Sequence, residues 1–299
     1  MATDWKVGRI AIVGVGLIGG SLARALKAAD AVAEVVGISR NELNLQRAHE
    51  LGVIDRFATD IETGVDGADI VVIATPVGTM RELCARIGPV LGSDSVVTDV
   101  GSVKRAPAEA ARAALGDNFA RFVPGHPVAG TEKSGVEASF AELYRQRTVI
   151  LTPESETDPA AVRLITDMWY VTGARVTTMS IGEHDRILAT TSHLPHMLAF
   201  ALVDFVAGSK DADAHFELAA GGFYDFTRIA SSDPVMWRDI SLANADELGA
   251  KLRQFADHLQ QVTRAVEGGD GEWLQRAFGN ARRARSDALA QREHCDSEK

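Results

Sequence analysis

A glycine-rich turn near the start of the chain constrains the fold more than any other feature. The apolar run Arg9–Val13 leads into Gly-Val-Gly-Leu-Ile-Gly at residues 14–19, and a helical pattern begins at about Gly20. A GxGxxG turn that follows a strand and opens a helix is typical of a Rossmann dinucleotide-binding unit. Because the start of such a helix offers free amide groups to phosphates, we predict cofactor contacts at this turn. The residues concerned are Gly14, Gly16, Leu17, Ile18 and Gly19.

Strand-like and helix-like segments alternate through residues 1–181. Apolar runs predict strands at Arg9–Val13, Glu34–Ile38, Ile70–Ala74, Ser95–Thr98, Thr148–Thr152 and Arg175–Met179. Helical patterns occupy Ser21–Ala29, Leu43–Leu51 and Ala160–Tyr170. This alternation favours right-handed βαβ units and a mostly parallel sheet, so we expect an α/β domain of the Rossmann type at the N-terminus.

The pattern changes in residues 182–299, where we find no convincing strand. Apolar residues recur at helical spacing over Glu183–Val206, Met236–Val266 and Trp273–Ala290. The sequence therefore predicts a dinucleotide-binding domain at residues 1–181 and an all-α domain at residues 182–299.

Composition excludes several classes of function. The chain has 299 residues and a formal net charge of −10, which argues against a nucleic-acid binder or a protein that docks on anionic membranes. The two cysteines, Cys84 and Cys295, are far apart and predict neither a disulfide scaffold nor a zinc site. With no signal peptide or transmembrane pattern, we expect a cytoplasmic protein.

The residues after the second predicted strand bear on the choice of dinucleotide. An NAD site usually carries Asp or Glu here to hold the ribose 2′-hydroxyl, but this chain has Ser39 and Arg40. A serine hydroxyl and an arginine fork suit a 2′-phosphate, so the pattern favours NADP, with NAD possible. Alternatively, Arg40 is only a solvated charge at a strand end. Thr75 and Pro76, which follow the next strand, are expected to line the cofactor crevice.

Polar clusters in otherwise apolar surroundings mark a second candidate site. They fall at residues 98–104, 125–131, 192–196, 221–228 and 236–238. Their candidate side chains and turns are Ser102, His126, Thr131, His193, His196, Gly221, Asp225, Arg228 and Trp237.

Structural alternatives remain open for these clusters. A lone loop histidine such as His126 is structural more often than catalytic. His193 and His196 have the spacing of a metal pair, but no third ligand follows at a recognisable distance, so we expect no metal. Asp225 and Arg228, three residues apart, could form only a local ion pair.

Taken in order, the motifs resemble the prephenate/arogenate (cyclohexadienyl) dehydrogenase family of tyrosine biosynthesis. The resemblance extends from about Arg9 to Ala277 and is carried by GVGLIGGS, TDVGSVK, GHPVAGTEKSGV, SHLPH and GGFYDFTRIASSDPVMWRDI. It implies a Rossmann domain followed by a helical dimerisation domain, with the active site between them. It also implies the NAD(P)-dependent oxidative decarboxylation of prephenate, or of arogenate, or of both.

The resemblance also implies roles for individual residues. His126 matches the catalytic histidine, and a near-neutral pKa would suit accepting a hydroxyl proton. Ser102 matches the serine that orients that hydroxyl or the histidine, and Arg228 matches the carboxylate clamp. The remaining pocket positions are His193, His196, Thr131, Gly221, Asp225 and Trp237. Because arogenate-specific members tend to lack the second histidine of SHLPH, the presence of His196 favours prephenate, or activity on both compounds.

Rival interpretations of the sequence are a β-hydroxyacid or imine reductase and a non-enzymatic NADP sensor. The reductases use a lysine on the interdomain helix, and this chain has none there before Lys210. A sensor would need no convergent serine, histidine and arginine.

Overall fold

The structure is a computed structural model that describes residues 5–297 of the chain, and the side chains of residues 5–291. The strands are β1 Val7–Val13, β2 Val32–Ile38, β3 Arg56–Ala58, β4 Ile70–Ile73, β5 Val96–Asp99, β6 Phe122–Val123, β7 Gly125–Pro127, β8 Thr148–Leu151 and β9 Arg175–Thr178. The helices are α1 Leu17–Ala28, α2 Glu42–Glu50, α3 Ile61–Val65, α4 Met80–Ile87, α5 Arg105–Leu115, α6 Pro159–Val171, α7 Ile181–Leu188, α8 Leu194–Ala207, α9 Ala212–Glu217, α10 Gly221–Thr227, α11 Pro234–Ala243, α12 Ala245–Glu267 and α13 Gly271–Ser297.

Six parallel strands form the main sheet, in the order β3-β2-β1-β4-β5-β6. β4 and β5 are buried along their whole length and β1 over residues 10–13, because two separate hydrophobic clusters cover the sheet. Strand order reverses at β1, so the crevice beyond the carboxyl ends of β1 and β4 is where such sheets bind ligands. The expected Rossmann-type α/β domain, followed by helices, is confirmed.

A second, three-stranded sheet departs from the prediction. β8 and β9 pair in parallel as expected, but they join β7, which runs antiparallel to β8 and places His126 opposite Ile150. The short strands β3, β6 and β7 did not stand out in the sequence, because two or three residues show no clear alternation.

Two helices predicted as continuous are interrupted. The segment predicted at Glu183–Val206 contains a π-helical turn at Ala189–His193, and Pro195, which lacks an amide hydrogen, lies in the first turn of α8. The segment predicted at Met236–Val266 breaks at Asn244, whose backbone leaves helical geometry at φ −119° and ψ 33°. Both interruptions turn polar side chains toward the buried groups described below.

The chain forms two compact units, residues 1–248 and residues 249–299. The sequence instead predicts a nucleotide-binding domain that ends at residue 181 and a helical substrate and dimerisation domain that follows it. That functional division stays a prediction. No helix within residues 5–297 is long and apolar enough to cross a bilayer. Cys84 is a free thiol in the core, and burial raises its pKa to about 12. The side chain of Cys295 lies outside the described residues.

Candidate active site

The glycine turn between β1 and α1 has the geometry that a bound pyrophosphate requires. Gly14 adopts φ +99°, and a Cβ there would lie 2.7 Å from the carbonyl oxygen of Ala74. A Cβ on Gly19 would lie 2.2 Å from the carbonyl oxygen of Gly14, so only glycine lets α1 pack this closely. Gly16 begins α1 without a side-chain cap, which leaves the first amides of the helix free for phosphate oxygens. These residues fit a dinucleotide.

Ser39 and Arg40 lie at the end of β2, beside this turn. The hydroxyl of Ser39 accepts a hydrogen bond from the amide of Asn41 at 3.1 Å, and the side chain of Asn44 donates to the carbonyl of Val15 at 3.0 Å. The second bond ties the first turn of α2 to the glycine turn. Arg40 is exposed and makes no ion pair with any of residues 5–291, so its guanidinium is available to a ligand.

The turn after β4 connects the cofactor side to the helical region. The hydroxyls of Thr75 and Thr79 are 2.7 Å apart, and Thr79 also donates to the carbonyl of Pro76. A Cβ on Gly78 would lie 2.8 Å from a carboxylate oxygen of Asp239 on α11. This close approach brings the turn against the helix that carries Trp237.

His126 lies on β7 in a nearly dry environment. The residue is 7% exposed, and its Nδ1 is 2.9 Å from Nε2 of His184. Burial, together with the nearby His184, Lys104 and His193, lowers the pKa of His126 well below 6.5. The near-neutral value expected from the sequence is therefore wrong, because that expectation ignored desolvation. The ring is neutral at pH 7 and can accept a proton.

His184 and Asp185, at the start of α7, were not among the candidates from the sequence. Nδ1 of His184 is 2.7 Å from Oδ1 of Asp185, and both side chains are almost fully buried. The Asp185 carboxylate also accepts the backbone amides of Lys104 and Arg105, at 2.8 and 3.0 Å. The adjacent His-Asp pair at a helix start was the available signal, but its partners are 58 and 81 positions away.

A buried ion pair supports the strand that carries His126. Nζ of Lys104 is 2.5 Å from Oδ2 of Asp99 and 2.5 Å from the carbonyl oxygen of Gly125. The amide of Gly125 donates to the other Asp99 oxygen at 3.2 Å. Burial lowers the pKa of Lys104, and the charge of Asp99 opposes the shift. Lys104 and Asp99 thus hold the residue before His126 at both its amide and its carbonyl.

The histidines of the interrupted helix lie near the same centre. His193 is fully buried, its Nδ1 is 3.2 Å from the side-chain nitrogen of Asn244, and its Nε2 has no hydrogen-bond partner of good geometry within the described chain. Burial lowers the pKa of His193 to about 4, against smaller raising effects from Asp185 and the backbone of Ser102. His196 stacks on Trp237 with ring centroids 3.6 Å apart.

Most of the remaining candidates are exposed. Nη1 of Arg228 is 3.5 Å from a carboxylate oxygen of Glu132, and both side chains are about half exposed or more. Asp225, the other candidate partner, forms no ion pair with the described residues, so the local Asp225–Arg228 pair considered from the sequence is absent there. The hydroxyl of Thr131 accepts from the amide of Lys133, and Gly221 begins α10. Ser102 is half-buried just before α5.

Comparison with known proteins connects this arrangement to one family. The profile described as prephenate dehydrogenase, nucleotide-binding domain, matches residues 22–178, and the profile of the prephenate dehydrogenase dimerization domain matches residues 180–280. Cyclohexadienyl dehydrogenase of Zymomonas mobilis is 39% identical over 278 residues, which is 92% of this chain and 94% of that protein.

Solved structures of the same family are also similar to this chain. Prephenate dehydrogenase from Aquifex aeolicus, determined in complex with hydroxyphenyl propionate and NAD+, superposes with a TM-score of 0.88 at 37% identity, over 95% of this chain and 99% of the other. Synechocystis arogenate dehydrogenase superposes with a TM-score of 0.76 at 29% identity, over 93% and 99% of the two chains.

Proposed function

The chain belongs to the prephenate dehydrogenase family, and on this premise we propose that it converts prephenate to 4-hydroxyphenylpyruvate by NAD(P)-dependent oxidative decarboxylation. The observation that carries the proposal is His126, a buried imidazole with a lowered pKa that follows Gly125, whose amide donates to Asp99 at the carboxyl end of β5. The alternative is a preference for arogenate, or activity on both compounds.

The chemistry needs a base and two anion sites. The nicotinamide, when bound, supplies a hydride acceptor for C4 of the ring. His126 accepts the proton of the 4-hydroxyl as that oxygen becomes a carbonyl. The bond to the ring carboxylate then breaks, CO2 leaves with its electron pair remaining in the ring, and the resulting phenolate takes the proton back. Ser102, which is half-buried just before α5, is the residue we propose to orient the hydroxyl.

Arg228 is the proposed clamp for a substrate carboxylate. Its guanidinium is 63% exposed, and its only ion pair among the described side chains is the long one to Glu132, so it is available for a bidentate contact. His196, held flat against Trp237, is proposed as a second polar contact. We also assign Thr131, Gly221, Asp225 and His193 to the pocket.

We propose prephenate rather than arogenate because His196 is present. The two compounds differ only at the side chain, keto in one and amino in the other, so a single polar contact there can discriminate between them.

NADP is the proposed cofactor within the NAD(P) pair. The absence of an acid after β2, the free guanidinium of Arg40 and the neighbouring Ser39 hydroxyl support it. We expect Arg40→Ala to raise the KM for NADP about tenfold or more, the loss of one charged contact, and to leave the KM for NAD nearly unchanged. Equal losses for both cofactors would make Arg40 structural.

A homodimer through the helical domain is proposed as the assembly. The match to a dimerization domain supports it, as do the apolar side chains of Leu252, Leu259 and Val266 exposed along α12. Sedimentation velocity of the full chain tests it. The cytoplasmic location expected from the sequence stays a prediction.

A two-by-two kinetic matrix tests the function itself. Purified protein is mixed with NAD or NADP and with prephenate or arogenate, and formation of reduced nicotinamide is followed by absorbance. We expect the highest kcat/KM for prephenate with NADP. No reduction in any of the four combinations would reject the proposed reaction.

A further inference from the structure

We propose that His184 and Asp185 act as positioning residues that fix the tautomer of His126, so that its Nε2 is the basic atom. The inference rests on the proposed function for the identity of the proton donor. The hydrogen bonds that support the inference are present in the protein without a bound substrate. The juxtaposition joins α7, β7 and the start of α5, three elements distant in sequence.

Asp185 defines the direction of the chain of hydrogen bonds. Burial alone would raise its pKa, but hydrogen bonds from His184 and from the amides of Arg105 and Lys104 outweigh burial and lower the pKa overall. The carboxylate is therefore ionised at neutral pH. Because an ionised carboxylate can only accept hydrogen bonds, Nδ1 of His184 must carry the hydrogen in their 2.7 Å contact.

His184 transmits this constraint to His126. A neutral imidazole with a hydrogen on Nδ1 has a bare Nε2, which can only accept. Nε2 of His184 is 2.9 Å from Nδ1 of His126, so His126 must donate from Nδ1. Its own Nε2 is then bare, and no other group in residues 5–291 hydrogen-bonds to it. The opposite tautomer would place a hydrogen on Nε2 and leave no base for the substrate.

The same hydrogen bonds remain possible after His126 accepts the proton. The new imidazolium keeps donating through Nδ1 to His184, which donates to the Asp185 carboxylate, so the charge is paired through two hydrogen bonds. The charged or titratable groups that face His126 are His184, Lys104 and His193, and all three, like burial, disfavour its charged form. Asp99 pairs with Lys104 and limits that effect. The Asp185 carboxylate is thus the negative charge linked to the His126 imidazolium, in a site where burial and the other neighbours disfavour that imidazolium.

Two substitutions of His184 separate the effect of its hydrogen-bond acceptor from the effect of its size. His184→Gln retains a carbonyl oxygen that can accept from His126, whereas His184→Leu fills the space without an acceptor. We expect kcat to fall in the order wild type, Gln, Leu, with a loss of about 100-fold for Leu, within the range that base catalysis contributes, and little change in KM. His49→Gln, an exposed histidine on α2, is the matched control and should retain full activity.

Asp185→Asn tests the origin of the constraint. The amide that replaces the carboxylate must aim its NH2 group either at the backbone amides of Lys104 and Arg105 or at His184. If the NH2 group faces His184, the tautomers of His184 and His126 are both reversed. If this buried variant fails to fold, the two His184 variants still test the proposal, with circular dichroism to establish that they are folded.

Nitrogen NMR of the imidazole-labelled, substrate-free protein observes the tautomer directly. We expect the hydrogen of His126 on Nδ1 in the wild type, and a mixture of tautomers in His184→Leu. A hydrogen on Nε2 of His126 in the wild type would overturn the proposal, as would a kcat for folded His184→Leu within twofold of wild type. Because the NMR needs no substrate, an inactive wild type would reject the proposed reaction without deciding the tautomer.

Discussion

The buried histidine centre and the exposed Arg228 side differ in how firmly their charges are held. Around His126, the carboxylates of Asp99 and Asp185 are at most 1% exposed, and each accepts hydrogen bonds from backbone amides as well as from a side chain. Arg228 and Glu132 are 63% and 48% exposed and meet in a single 3.5 Å contact.

The difference separates two tasks. Moving a proton requires a group whose protonation state and orientation are already determined, and buried hydrogen bonds provide that in a site of low dielectric. Binding a charged ligand requires a group that can exchange a weak partner for a better one, and an exposed ion pair is weak because water screens it. The following predictions test this contrast, from the largest expected effect to the smallest.

Replacing the base should have the largest effect. His126→Asn removes the proton acceptor but keeps a polar side chain of similar size, so we expect kcat to fall by about 100- to 10,000-fold while KM stays near the wild-type value. Steady-state kinetics with prephenate measures both. A variant that kept most of its kcat would show that His126 is structural.

Breaking the buried ion pair should cost stability. Lys104→Met leaves the Asp99 carboxylate buried without its cation, and such losses typically cost about 3–5 kcal/mol in the free energy of unfolding. Lys27→Met, which breaks a partly exposed pair with Asp55, is the control and should cost about 1 kcal/mol or less. Urea denaturation compares them, and similar costs would contradict the contrast.

Removing the exposed arginine should weaken substrate binding. We expect Arg228→Ala to raise the KM by about 10- to 100-fold, the equivalent of one charged hydrogen-bonded contact, with a smaller effect on kcat. Glu132→Gln, which removes only the resting partner, should change the KM far less. If the KM is unchanged in Arg228→Ala, the carboxylate binds elsewhere.

The pH profile should show the desolvation of His126. Its folded-state pKa lies below 6.5, so the folded protein binds fewer protons there than the unfolded chain, and stability decreases as pH falls below about 6.5. By the same reasoning kcat/KM should be level near neutral pH and decline on the acid side, with a midpoint below 6.5. A midpoint at or above that value would mean that water solvates the ring.

Much of the molecule could be predicted from local patterns. The glycine turn, the apolar strands β1, β2, β4 and β5, and the helical character after residue 182 each depend on spacing within one segment. The candidate residues Ser102 and His126 stood out because they are polar groups between turn formers or after a strand. The break at Asn244 was not predicted, because no local pattern marks it: the side chain at the break donates to the carbonyl of Asp185, 59 positions away.

The sequence by itself determined the fold class, the dinucleotide turn and the set of polar groups that point to the family. Only the tertiary structure decided how those groups behave. The pKa of His126 depends on burial and on neighbours from other elements. Lys104, which ends the TDVGSVK motif but was not a candidate site residue, is fully buried and bonds the carbonyl oxygen of the residue before that histidine. Hydrogen bonding and desolvation act over a few ångströms in space, and the residues they join here lie up to 81 positions apart in the chain.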